Sequence, residues 1–207
     1  MLLGTPIFLF LFLMGAIFGS FLNVVIYRVP KKMSLITPSS HCFNCKTPIP
    51  IQYNIPIFGY YLLRGKCKFC QKPFPSRYVF VELITAILTI IIYLIFGFTP
   101  SFFMYVILTY LLLAVTFVDI DHYIIPNGFI IFGIIVLGCG LFYDLLSISW
   151  EYSLSGAFVF AGFLFGIGLI GQFVLKKESI GFGDVKLGLV LGGFLGVEYS
   201  VLALYLS

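Results

Sequence analysis

The chain has 207 residues, of which 61% are hydrophobic and only 10% charged, and its mean hydropathy is +1.13. Those values exclude an ordinary soluble globular domain. The net charge of +4 is distributed so unevenly that it serves as a membrane-orientation signal, and it calls for no nucleic acid.

A bilayer core about 30 Å thick needs roughly 20 apolar residues per helix. Six runs of about that size occur, near 6–27, 79–96, 102–118, 128–143, 154–175 and 185–206, with Pro30, Pro100 and Pro126 in the breaks between runs. The fourth is the shortest. The expected fold is therefore an all-α polytopic membrane protein with about six transmembrane helices. The first run has no basic stretch before it and no Ala-x-Ala-like cleavage site, so it reads as a retained span and not a removable signal peptide.

Arg28, Lys31 and Lys32 follow that first run, which under the positive-inside rule puts the N-terminus outside and the next loop in the cytosol. Nine of the twelve Lys and Arg residues fall between Arg28 and Arg77, with no Asp or Glu among them. Alternating the helices from there puts junctions 97–101 and 144–153 outside, and neither holds a basic residue. Lys176, Lys177 and Lys186 return to the cytosolic side at the junction of the fifth and sixth runs. All twelve basic residues agree with this one topology.

The long loop carries Cys42-Phe-Asn-Cys45 and, after 21 intervening residues, Cys67-Lys-Phe-Cys70. Two such knuckles let four thiolates close a tetrahedron around zinc, and the reducing cytosol disfavours disulfides. Four thiolates leave no open coordination position, so this zinc is structural. Lys46, Lys66 and Lys68 offset the thiolate charge. His41 reads as a solvated loop residue and not a fifth ligand. Cys139, inside an apolar run, reads as a small buried residue.

Only eight carboxylates occur: Glu82, Asp119, Asp121, Asp144, Glu151, Glu178, Asp184 and Glu198. Ionisable groups in spanning segments are costly, about 2.5–3.5 kcal/mol at a helix centre, and so tend to be functional or paired. Asp119 and Asp121 close the third run, Asp184 opens the sixth after Gly181-Phe-Gly183, and the derived topology brings both ends to the cytosolic face. At helical spacing Asp119 and Asp121 point about 200° apart, so only one of them can face Asp184. Two carboxylates that share a site divide their roles, one holding a proton while the other activates water. Position alone leaves a second reading, that Asp119, Asp121, Asp184 and Lys186 are ordinary interfacial charges at helix ends.

The order of motifs resembles the bacterial type IV prepilin peptidases, a family of Gly-x-Gly-Asp aspartyl proteases. The resemblance rests on Gly19-Ser-Phe-Leu-Asn-Val-Val-Ile-Tyr-Arg-Val-Pro30, the two knuckles, Arg77-Tyr-Val-Phe-Val-Glu82, Asp119 with Pro126-Asn127, and Gly181-Phe-Gly-Asp184. It implies that Asp119 and Asp184 are the catalytic pair, not Asp121. It further implies cleavage of the short basic leader from prepilins or pseudopilins at the cytosolic face of the bacterial inner membrane, followed by N-methylation of the new N-terminus from S-adenosylmethionine. Residues 1–28 are then a first transmembrane helix, 29–78 a cytosolic zinc-binding loop domain and 79–207 the transmembrane peptidase core.

No dinucleotide-type glycine fingerprint supports the methyltransferase half. The glycines at 15/19, 162/166 and 188/192/196 are spaced instead as small-residue helix contacts. Glu82 is a contributor by motif position alone, and the zinc loop is the expected docking region for cofactor or substrate. Members of the family continue for one or two helices past the sixth run, which leaves open a truncated C-terminus. The competing class is a non-enzymatic transporter or assembly factor with a partner site on the zinc loop, although the internal repeats and mid-membrane charges of transporters are not evident. A preflagellin-processing enzyme is the other alternative, and the four-cysteine loop favours the prepilin branch.

Overall fold

The computed structural model describes residues 4–175 and 180–206, with the side chains of 6–174 and 180–206. Lys176, Lys177 and Glu178 lie outside the described residues. The chain runs α1 (Gly4–Arg28), a 3₁₀ turn (Ile51–Tyr53), α2 (Phe58–Leu62), α3 (Arg77–Phe96), α4 (Pro100–His122), α5 (Asn127–Phe142), α6 (Trp150–Leu175) and α7 (Phe182–Leu206). No strand occurs among the described residues, only two isolated bridges, His41 with Pro48 and Lys66 with Pro73. Five helices, α1, α3, α4, α6 and α7, are long and apolar enough to cross a membrane, and α5 is a shorter apolar helix.

The breaks follow local chemistry. Pro126 is extended at the N-cap of α5, and Pro100 occupies the first turn of α4, where its missing N–H costs nothing. Gly97 ends α3 at φ 60, donating its N–H to the Tyr93 carbonyl at 2.8 Å. The outward faces carry large apolar side chains such as Phe10, Leu94, Ile95 and Phe158, as helices solvated by acyl chains require.

The chain divides into two compact units, Met1–Phe98 with Leu112–His122, and Thr99–Leu111 with Tyr123–Ser207. In the first, α1 packs on α3 through glycine. A β-carbon at Gly15 would lie 2.6 Å from Ala86 Cα, and one at Gly19 would lie 2.7 Å from Glu82 Cα. Thr85 and Thr89, buried along this seam, donate their hydroxyls to the carbonyls of Val81 and Thr85 on their own helix. Asn23 of α1 donates to the Tyr78 carbonyl at 3.0 Å. At the end of α1, Arg28 is buried, with its guanidinium donating to the carbonyls of Ser34 and Pro38. An orientation charge by sequence, it is also the strap that folds the following loop back onto α1.

In the second unit, α6 and α7 meet backbone to backbone. A β-carbon at Gly192 would stand 2.3 Å from the Gly156 carbonyl oxygen, and Ser153 donates to the Gly193 carbonyl at 2.8 Å. Two expectations are corrected here. Gly162 and Gly166 have nothing within 4 Å of a β-carbon placed on them, so the α6 contact is made by Gly156, because the residues face a different side of the helix. Cys139 is exposed on α5 and so faces outward among lipid-facing residues. Gly196 interrupts α7 at φ 71, ψ 177, a region open essentially to glycine alone, and kinks the helix there.

Candidate active site and zinc module

The four knuckle cysteines converge. Their sulfurs all lie within 4.8 Å of one another, with Cys42 to Cys70 at 3.7 Å and Cys45 to Cys67 at 3.8 Å. A regular tetrahedron with Zn–S of about 2.3 Å has sulfur–sulfur edges of about 3.8 Å, so the donor set fits zinc in kind and in spacing.

The two knuckles are built alike, offset by 25 residues. Cys42 N–H donates to the Thr47 carbonyl and Lys46 N–H to Cys42, as Cys67 N–H does to Lys72 and Gln71 N–H to Cys67. Ile49 N–H to Ser40 and Phe74 N–H to Gly65 close the two turns in the same way, and Lys46 and Gln71 both take positive φ. Local hydrogen bonds also tune the thiols. The Thr47 hydroxyl, aided by its backbone N–H, holds Cys45 down at about 6, and the N–H groups of Cys70 and Phe69 lower Cys67. The Lys72 N–H draws Cys70 down, yet desolvation and the neighbouring thiols push it up to about 11. His41 is not among the converging ligands. It is half-buried against the Ser39 carbonyl at 2.9 Å, so the loop packs it more than its sequence position suggested.

Asp119 and Asp121 occupy the last turn of α4, in the first unit. Asp121 pairs with Arg77, Nη1 lying 2.6 and 2.5 Å from its two carboxylate oxygens, while Nη2 reaches the Phe117 carbonyl at 3.3 Å. The guanidinium also stacks over the Phe117 ring at 4.9 Å. Asp119 is half-buried and, among the described residues, its carboxylate has no hydrogen-bond or ion-pair partner. Spacing left the two aspartates equivalent; Asp121 is tied to an arginine, whereas Asp119 has no such partner among the described residues.

Asp184 lies in the second unit, three residues past Gly181 at the start of α7. Its Oδ2 accepts the Gly181 N–H at 3.2 Å, while its own N–H donates to the Gly181 carbonyl at 3.0 Å. This is the acidic half of a capping box, at the helix end where negative charge is favoured. Its outer face stays exposed. Two residues on, Lys186 donates to Asn127 Oδ1 at 3.0 Å and lies over the Phe182 ring, which ties the first turns of α5 and α7 together. Sequence reading missed three links: Arg77 to Asp121, Lys186 to Asn127, and Glu82 Oε2 accepting the Ile57 N–H at 2.6 Å. Each joins a motif residue to a partner far along the chain, for which periodicity carries no signal.

Two family models match in succession, the bacterial peptidase A24 N-terminal domain over residues 13–96 and the type IV leader peptidase family over residues 106–207. An Aeromonas hydrophila protein named prepilin leader peptidase/N-methyltransferase is 33% identical over 97% of this chain and 77% of its own length. The chain belongs to the type IV leader peptidase family. Proteins of the same name from Pseudomonas aeruginosa and Myxococcus xanthus are 33% and 37% identical, over 94% and 92% of this chain. The chain spans 75% of the first and 57% of the second. No solved structure gives a significant match. The N-terminal family match ends with α3, so the four-cysteine loop and the α1–α3 pair fall within one family model and both aspartates within the other.

Proposed function

We propose that the chain is an intramembrane aspartyl endopeptidase that removes the leader of type IV prepilins or pseudopilins at the cytosolic face of the bacterial inner membrane, with Asp119 and Asp184 as its catalytic pair. The observation that carries this is family membership together with the state of the carboxylates. Of the two aspartates that end α4, Asp121 is held by Arg77, and Asp119 has no ion-pair or hydrogen-bond partner among the described residues.

Both aspartates must reach the same membrane face, and that depends on α5 crossing. Its 16 residues span about 24 Å, short of a core of about 30 Å, a mismatch that local thinning accommodates at fractions of a kcal/mol per Å. Without that crossing, Lys186 would lie opposite the nine basic residues between Arg28 and Arg77, against the positive-inside rule. With it, the end of α4 and the start of α7 share the cytosolic interface. A prepilin, itself a membrane-anchored helix with a basic leader, presents its scissile bond at that depth.

In this reading one carboxylate takes a proton from water as it attacks the scissile carbonyl, and the other, protonated, hydrogen-bonds the carbonyl oxygen and then gives its proton to the leaving amine. The capping contact holds the Asp184 carboxylate by its inner oxygen and leaves the outer one for water or substrate. Cys42, Cys45, Cys67 and Cys70 would hold a zinc ion that fixes the loop and, with four thiolates, would leave no open position for chemistry. S-adenosylmethionine supplies the methyl group for the new N-terminal amine.

The test is cleavage of a purified prepilin in detergent by the wild type and by Asp119→Asn, Asp184→Asn and Asp121→Asn. The first two variants are expected to lose at least about 10²–10⁴-fold in rate, the scale of acid–base catalysis, and the third to cleave. Undiminished cleavage by Asp119→Asn or Asp184→Asn would remove the mechanism.

A further inference from the structure

The loop between α1 and α3 leaves an apolar ridge uncovered. Ile51 in the 3₁₀ turn, Ile55 after it, and Phe58, Tyr61 and Leu62 of α2 are between 50% and 89% exposed. The last three stand at i, i+3 and i+4, so they share one face of α2. None of these residues belongs to a spanning helix, and large apolar side chains gathered on one exposed face mark a surface that something covers. Two contacts set the depth of the ridge. Glu82 Oε2 accepts the N–H of Ile57, the N-cap of α2, at 2.6 Å, and Glu82 is the sixth residue of α3, about 7–8 Å along the helix axis from Arg77. Phe43 of the first knuckle packs on Tyr27 in the last turn of α1, with ring centroids 4.7 Å apart, so the loop folds down onto the α1–α3 pair. Tyr27, Arg77 and Tyr78 are the residue types that gather at a membrane–water boundary. Measured from that boundary, the start of α2 lies within the depth of about 5–10 Å that interfacial helices occupy.

The charge around the ridge is of one sign. Nine Lys and Arg residues and no Asp or Glu lie between Arg28 and Arg77, and seven of the nine are exposed. Arg64, Lys66 and Lys68 follow α2 directly. Lys68 Nζ lies 5.0 Å from the centre of the Tyr53 ring in the 3₁₀ turn, which brings cationic charge beside the ridge. An exposed apolar face bordered by uncompensated Lys and Arg is the composition of a segment that lies in an anionic headgroup layer. A substrate leader fits less well, because a basic peptide is repelled by a loop that has no acidic residue.

We propose that the ridge formed by the 3₁₀ turn and α2 docks on the membrane surface beside α1 and α3, its apolar side chains reaching the acyl boundary while Arg64, Lys66 and Lys68 engage the phosphates of anionic lipids. The four-cysteine loop is then a module held against the bilayer, not one free in the cytosol. Positive-inside orientation needs only the sign of these charges. Docking gives three of them a partner and accounts for the exposed apolar face.

The test uses the full chain in lipid nanodiscs, with Leu62→Trp as a reporter in a Trp150→Phe background, since Trp150 is the single tryptophan. Both positions are exposed, and zinc content serves as the folding control for each variant. In discs whose phosphatidylcholine carries bromine on its acyl chains, the reporter should lose about half or more of its emission, and acrylamide in the water should quench it little, as interfacial depth requires. Adding phosphatidylglycerol should deepen the bromine quenching. Arg64→Gln, Lys66→Gln and Lys68→Gln together should abolish that increment while zinc is retained. A reporter open to acrylamide and untouched by bromine in both lipids would overturn the docking. Bromine quenching that is the same with and without phosphatidylglycerol would overturn the role of the three cations. Shielding that arises only when purified prepilin is added would overturn lipid as the occupant and make the ridge a substrate surface.

Discussion

The α6–α7 seam makes a sharp prediction about Gly192→Ala. The added methyl would stand 2.3 Å from the Gly156 carbonyl oxygen and 2.7 Å from its carbon, whereas ordinary contact begins near 3.4 Å. Neither atom belongs to a side chain that can rotate away, so the helices must part by about 1 Å, and a gap of that size forfeits a quarter to a half of each contact's attraction. Overpacking of this kind costs about 1–3 kcal/mol, against which the better helix propensity of alanine returns at most about 1 kcal/mol. The net loss should be about 1–2 kcal/mol, or about 2–8 °C in melting temperature for a chain of this size. Gly162→Ala in α6 is the matched control, because nothing lies within 4 Å of its new methyl, and it should be neutral or slightly stabilising. Trp150, the single tryptophan, starts α6, so its fluorescence during thermal unfolding in detergent reports on this helix pair. Prepilin cleavage should fall in Gly192→Ala as well, since α7 also carries Asp184. A Gly192→Ala protein that melts at or above wild type, or a Gly162→Ala protein that loses as much, would refute the packing argument.

Asp121→Asn should cost little stability, about 0.2–1 kcal/mol, because both partners of the Arg77 pair are about a third exposed. Its cleavage rate should stay within a few-fold of wild type, as side-by-side kinetics with Asp119→Asn will show. Cys67→Ser should release the metal, read by atomic absorption after dialysis, and stoichiometric zinc retained by that variant would count against the assignment. Zinc must displace protons from thiols that hold them, Cys70 above all with its pKa pushed up to about 11. Affinity should therefore rise with pH and fall as acid protonates the remaining thiols, including Cys45 as pH drops through about 6; titration in buffers of different ionisation enthalpy counts the protons released. Gly196→Ala should destabilise α7 by about 1–3 kcal/mol, since φ 71 with ψ 177 suits glycine alone, and chemical denaturation followed through Trp150 measures it.

Spacing made part of this protein legible before any coordinates. Apolar run lengths predict the helices to within a few residues because a helix in lipid must satisfy its own backbone, and only length and hydropathy decide whether it can. The four cysteines were legible for a similar reason: tetrahedral coordination fixes ligand identity and approximate separation, and the folded loop brings the sulfurs to the expected spacing. What periodicity could not carry was which face of a helix meets which neighbour. Gly162 and Gly166 repeat at the correct interval but point away from α7, while Gly156, outside that pattern, makes the contact. Cys139 was assigned to the interior on hydropathy alone, yet in a membrane the outward face is as apolar as the inward one. Hydropathy therefore loses the inside–outside contrast that it carries in water.

The charged residues show the same limit from the other side. Arg28 and Arg77 both entered the orientation count, where only their sign matters. In the fold, one straps a loop through two carbonyls and the other engages Asp121. That second use has the greater functional consequence. Under the proposed assignment, the arginine that engages Asp121 removes a competing carboxylate from the last turn of α4 and leaves the chemistry of that turn to Asp119. On this argument Arg77→Gln acts through Asp121. It should lower cleavage modestly by freeing a second carboxylate near the site, and the double variant Arg77→Gln with Asp121→Asn should recover most of that loss. If the double variant cleaves no better than Arg77→Gln alone, Arg77 serves the site by some route other than holding Asp121.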